Sequence, residues 1–169
     1  MKNLLFSSLV IITTTSQVLT TMKFILDEKI EICSEEHFVD ISKFEFIMVN
    51  DTTTVGNGLT KSLKEIKSPW KLQFYGEIHD RGTWIKKFGR KFDDFCKHIL
   101  NPTEFWYKPF NEKMKGKGCP YNEGMVTEIN NEIVYFDVSF MPFTFEGRWR
   151  FTIEGELGCY RVYFDFVDI

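Results

Sequence analysis

With 169 residues the chain is long enough for one well-buried domain and short for two. Phe occurs 18 times and Ala not at all, a composition that disfavours a helical bundle and favours strands. A formal charge of -3 suits non-specific nucleic-acid binding poorly, so no nucleic-acid partner is expected.

Residues 1–20 have the plan of a secretory signal peptide: a basic Lys2, an apolar run from Leu4 to Ile12, then small polar residues. The apolar run is shorter than the ~20 residues a bilayer span needs, so a secreted, extracellular protein is expected rather than an anchored one. Cleavage after Ser16 and after Thr20 fit equally well, and residues 21–169 are read as a single domain. Loss of the leader removes Lys2 and no acid, taking the formal charge from -3 to -4. Four cysteines in a secreted chain imply two disulfides, with three pairings open. Cys33 and Cys159 flank nearly the whole domain, while Cys96 and Cys119 lie on either side of an expected helix and loop; these two pairs are preferred. Their loops would contribute roughly 5 and 3 kcal/mol respectively on the loop-entropy model.

Ile30 to Cys33 reads as a first short strand, with Ile30 and Ile32 on one parity and Glu31 and Cys33 on the other. Phe44, Phe46 and Met48 alternate with Glu45, Ile47 and Val49, so both faces are apolar at one end and a central position in the sheet is expected. Asp51 to Gly58 reads as a turn, followed by a weak strand near Leu59 to Ile66. Leu72, Phe74 and Ile78 alternate with Lys71, Gln73, Tyr75 and Glu77 in a clearer strand. The period then changes: Phe88, Phe92, Phe95, Cys96, Ile99 and Leu100 fall at helical spacing between charged residues, predicting one amphipathic helix over Trp84 to Leu100. Asn101-Pro102 stops it, and Asn101 can cap a second short helical turn that ends by Pro109. A Gly and Lys loop from Lys113 to Gly118 leads to Cys119-Pro120. Three alternating runs close the chain: Val134, Phe136, Val138 and Phe140; Trp149, Phe151 and Ile153; Val162, Phe164 and Phe166. Separated by Gly147 and Gly158-Cys159, they read as antiparallel strands wet on one face and aromatic on the other.

A Cys-Pro after a helix and loop, then N-E-I-V-Y-F-D-V, G-R-W-R-F-T-I and L-G-C-Y-R-V in order, resembles the ML lipid-recognition superfamily. The nearer likeness is to its insect branch of secreted CheB-like proteins, a more distant one to the lysosomal ganglioside activator. The resemblance implies an all-β, immunoglobulin-like antiparallel sandwich with one amphipathic helix between strands, a lipid-sized cavity and no catalytic centre. It also implies that Cys33 pairs with the Cys159 of Leu157-Gly158-Cys159, and Cys96 with the Cys119 of Cys-Pro. The activator's further disulfides have no counterpart here. Parity agrees, since Cys33 and Cys159 fall on polar strand faces with Glu31 and Arg161, where a bridge leaves the interior free.

Such a cavity would be lined from the inward parities: Phe44, Phe46, Met48, Leu72, Phe74, Phe136, Val138, Phe140, Trp149, Phe151, Ile153, Val162 and Phe164. Most alternating apolar residues simply fill a core, and the sequence does not sort the two roles. Burial of a methylene contributes about 0.8 kcal/mol, so a sixteen-carbon chain gains roughly 12 kcal/mol gross before entropy costs. Trp106, Tyr107, Phe110, Phe143 and Phe145 lie in Pro-rich, loop-like sequence and are candidates for a cavity mouth or membrane contact, against folding back onto the core. Lys108, Lys113, Lys115 and Lys117 lie nearby, and solvated loop lysines are the default. His37, His79 and His98 form no metal motif; Glu77 with Asp80 and Asp93 with Asp94 read as solvated acids rather than a catalytic pair. No hydrolase or phosphate-loop motif is present, so neither enzymatic activity, cofactor nor metal is expected. Asn50-Asp51-Thr52 is a glycosylation sequon. These residues point to a secreted, monomeric, non-enzymatic protein that carries a lipid or other apolar small molecule, with chemosensory or lipid-presenting use implied by the resemblance and transient membrane or receptor contact as partners. The rivals are an extracellular interaction module with a packed core working through its loops and, more weakly, an extracellular hydrolase.

Overall fold

The computed structural model describes residues 22–50, 53–104, 106–107, 117–134, 146–156 and 158–168. Strand formation dominates them, and every strand pairing is antiparallel. The strands are β1 (Met22–Leu26), β2 (Glu31–Ile32), β3 (Val39–Asn50), β4 (Thr53–Ser62), β5 (Leu72–Asp80), β6 (Thr83–Phe92), β7 (Val126–Ile133), β8 (Gly147–Gly155) and β9 (Gly158–Asp168). The larger sheet runs β1-β9-β8-β5-β6, with β2 also on β9; the smaller runs β3-β4-β7.

One row of the larger sheet shows what alternation achieves. Ile85, Ile78, Trp149, Phe164 and Leu26 stand side by side across five strands, and the last three are buried with Phe166. The neighbouring row on the opposite face is polar: Lys86, Glu77, Arg150 and Tyr163. Arg150 pairs with Glu77 at 2.5 Å and lies 4.5 Å over the Trp84 ring, while Arg148 bonds Asp27 and Asp165. Glu31 holds Arg161 at 3.2 Å and accepts from the Tyr163 hydroxyl. The smaller sheet packs on the aromatic face through Phe46, and Val134 adds to the same core. Tyr160 stitches the sheets together: its hydroxyl donates to the Val39 carbonyl at 3.0 Å and accepts from the Val39 N–H at 3.1 Å. Burial of that phenol pushes its pKa up. A second core joins Ile66, Leu72, Phe92, Phe95, Ile99, Trp106 and Tyr121, beside the Cys96–Cys119 bridge. The first bridge, Cys33–Cys159, ties β2 to β9 on the polar face, where Glu31 is paired with Arg161.

Several local expectations are corrected. The expected helix over Trp84 to Leu100 is replaced by strand β6 and a short 3-10 turn at Phe95–Lys97. Arg81 and Gly82 both adopt positive φ, the requirement of a tight hairpin turn whose twist matches its strands, so β6 folds back on β5. A spacing of four residues, as in Phe88 and Phe92, is also even and therefore compatible with a strand face. The register shift between Gly76/Phe88 and Glu77/Lys86 leaves Lys87 as an extra residue, and this bulge turns Trp84 to the polar face. Gly89 inside the segment further weakens a helix. β3 is an edge strand rather than a central one. The turn expected over Asp51 to Gly58 is instead strand from Thr53 onward, favoured by β-branched Thr53, Thr54 and Val55; Gly56 leaves room for the Phe44 ring, 3.0 Å from where its Cβ would stand. The first short strand shrinks to Glu31–Ile32, preceded by β1. Of the second helical turn, the described part is a pair of turns in which Asn101 accepts from the Thr103 N–H at 3.1 Å and Tyr107 N–H bonds the Glu104 carbonyl.

Candidate functional site

The residues expected to line a cavity divide into four groups, the last of which is Phe44 alone. Trp149 and Phe164, each 1 % exposed, stack with ring planes 5° apart and, with buried Leu72, form core. Phe74 packs on Phe92, Phe151 and Trp106 at ring distances of 5.4, 5.4 and 5.6 Å, and Phe46, Phe151 and Val162 pack around Trp149 and Phe164. Met48 and Ile153 are exposed, at 45 % and 38 %: Met48 lies near the tip of an edge strand and Ile153 near the end of β8. Phe136, Val138 and Phe140 lie outside the described residues, as do Phe110, Phe143 and Phe145 of the expected mouth and Lys108, Lys113 and Lys115. Trp106 is buried in the second core, its indole N–H donating to the His98 carbonyl at 3.3 Å, so it folds inward instead of forming a rim. Tyr107 is half-buried.

An open cleft of about 430 Å³ remains, and Phe44 is the predicted residue that borders it. It lies where the edge of the larger sheet faces the edge of the smaller one. Ile30 and Ile32 supply one wall, Ile41 and Phe44 the other, with Lys29, Ser42, Lys43 and Glu45 around them. Three local features build it. The chain between β1 and β2 is held to β3 by the Phe46 N–H donating to the Glu28 carbonyl at 2.8 Å. β3 shifts register between Asp40 and Lys43 relative to β4, a bulge that bends the strand and re-aims side chains. Gly58, with φ +121°, pairs with Phe44, and a Cβ there would stand 1.9 Å from the Lys43 carbonyl oxygen; only glycine permits that approach. Alternation hides this site, because Lys29, Ile30, Ile41 and Lys43 sit at an irregular connection and a bulge. The readable signal was apolar Ile30, Ile32 and Ile41, with Lys29 before the first and Lys43 two residues after the last.

The volume falls within the roughly 300–1,000 Å³ of small-molecule sites, and the walls offer apolar contact with polar groups at the rim. A smaller recess of about 230 Å³ lies by Phe38, Ile66, Pro69 and Trp70. Of the acids expected to be solvated, Glu77 and Asp94 are buried instead, Glu77 against Arg150, and Asp94 against Ser68, the Trp70 N–H and Lys97. The Ser68 hydroxyl, chiefly, holds the Asp94 carboxyl below its ordinary pKa. Among the described residues no group of three or more His, Cys, Asp or Glu is placed to hold a metal. Asn50 is exposed at the end of β3.

Fold and cleft together define a protein of two packed antiparallel sheets, cross-linked by two disulfides of the kind typical of extracellular proteins. No helix among the described residues is long and apolar enough to cross a membrane. No protein-family model matches the chain, and no curated protein matches it either.

Proposed function

We propose that this is a secreted, monomeric, non-enzymatic binding protein with an immunoglobulin-like sandwich of the ML lipid-recognition kind, which holds a lipid or other long apolar molecule. The observation that carries the reading is the lateral cleft, walled by Ile30, Ile32, Ile41 and Phe44 between the two sheet edges. An apolar chain laid there meets Phe44 and the three isoleucines without displacing the stacked Trp149 and Phe164. Asn50 is the proposed glycosylation site of the secreted form.

Native mass spectrometry of the protein secreted from insect cells, followed by solvent extraction of what it carries, tests the reading. Recovery of a stoichiometric apolar adduct is expected. Repeated recovery of protein mass alone, with no uptake of fluorescent fatty acids, overturns it. That result favours the rival interaction module, for which the exposed Ile47, Val49 and Ile133 of the smaller sheet offer a contact face.

A further inference from the structure

The cleft carries charge as well as apolar surface, and from this we infer that its occupant is a single-chain, long-chain carboxylate bound with its head between Lys29 and Lys43. The inference rests on the apolar-ligand reading above and adds the identity of the head group.

Lys29 and Lys43 both border the cleft, one from each sheet edge. Neither belongs to an ion pair among the described residues, whereas Arg148, Arg150 and Arg161 of the larger sheet do. Two of the nearby acids have partners of their own, while exposed Glu28 adjoins Lys29. Glu31 is bonded to Arg161 and Tyr163. Asp40 accepts from the Ser42 N–H at 2.8 Å, and that bond is the first cause of its lowered pKa, with Lys43 a smaller one. Glu45 is the one carboxylate among the cleft's bordering residues. Among the residues that line the cleft two lysines face one glutamate, on a protein whose overall charge is -3.

Isoleucine and phenylalanine walls with two lysines among the lining residues complement an amphiphile with an anionic head. A cavity of about 430 Å³ lies toward the small end of ligand sites, which suits one alkyl chain better than the two of a phospholipid. The carboxylate accepts from both ammonium groups, and Ser42 stands beside them as a further polar group.

The test compares two ligands of equal chain length, palmitate and hexadecanol, displacing a fluorescent fatty-acid probe from the wild-type protein and from the double variant Lys29→Gln, Lys43→Gln. Both lysines are exposed, and thermal melts establish that the variant folds. Palmitate should bind wild type about tenfold more tightly than hexadecanol, the order expected of a charge-assisted hydrogen bond. The double variant should lose that preference and bind the two ligands alike. Equal binding of both ligands by wild type overturns the carboxylate inference while the apolar-ligand reading stands. A preference that survives in the variant overturns the role of the two lysines. Binding of neither ligand overturns both readings.

Discussion

The two sheets use the same alternation of apolar and polar residues and reach different ends. In the larger sheet both faces are occupied, one by the row through Ile78, Trp149, Phe164 and Leu26, the other by Glu77, Arg150 and Tyr163. In the smaller sheet the outer-face row is Ile47, Val55 and Ile133. Central Val55 is 5 % exposed, whereas Ile47 and Ile133 on the flanking edge strands are 37 % and 47 % exposed. The residue types are nearly equivalent. Position in the sheet decides burial, because a central strand is covered by side chains from both neighbours and an edge strand from one. A three-stranded sheet has a single such strand, so its apolar rows stay half wet.

The sharpest way to break this contrast is to release the larger sheet's covalent tie. Replacing Cys33 and Cys159 with Ser should cost roughly 5 kcal/mol on the loop-entropy model, against about 3 for Cys96 and Cys119, because the first loop spans 126 residues and the second 23. Urea unfolding of the two double variants measures the order. Trp149→Ala should cost about 3–5 kcal/mol by the same assay, since it empties the middle of the buried row. Glu77→Gln comes next at about 2 kcal/mol: it leaves Arg150, whose side chain is 17 % exposed, without its counter-charge, with some relief from solvent. A double-mutant cycle with Arg150→Met isolates that coupling. On the smaller sheet Val49→Thr should change stability by less than about 0.5 kcal/mol, as its side chain is 60 % exposed. A Val49→Thr loss comparable to that of Trp149→Ala would show that the outer face of the smaller sheet is covered after all.

Where alternation was clean and flanked by glycine, as in β5, β8 and β9, strands and inward faces were legible from the residues. So was the polar-face placement of Cys33 and Cys159, since parity alone determines it. Pairing partners were not: nothing local in Met22–Leu26 announces that it joins β9 from the far end of the chain. Trp84 to Phe92 misled because phenylalanines four apart satisfy both periods, and the deciding features were a two-residue turn at positive φ and a bulge. The cleft was the least legible part. Phe44 was recognised as inward, but the opening depends on a second bulge, on Gly58 and on a hydrogen bond from Phe46 to Glu28, all products of tertiary arrangement.

On the proposed function an apolar ligand sits between the sheet edges while the aromatic interior stays closed. Photolabelling with a diazirine-bearing palmitate, followed by peptide mapping, tests it most directly. Labels confined to the segments around Ile30, Ile32, Ile41 and Phe44 are predicted, and labels concentrated at Trp149 and Phe164 would contradict it.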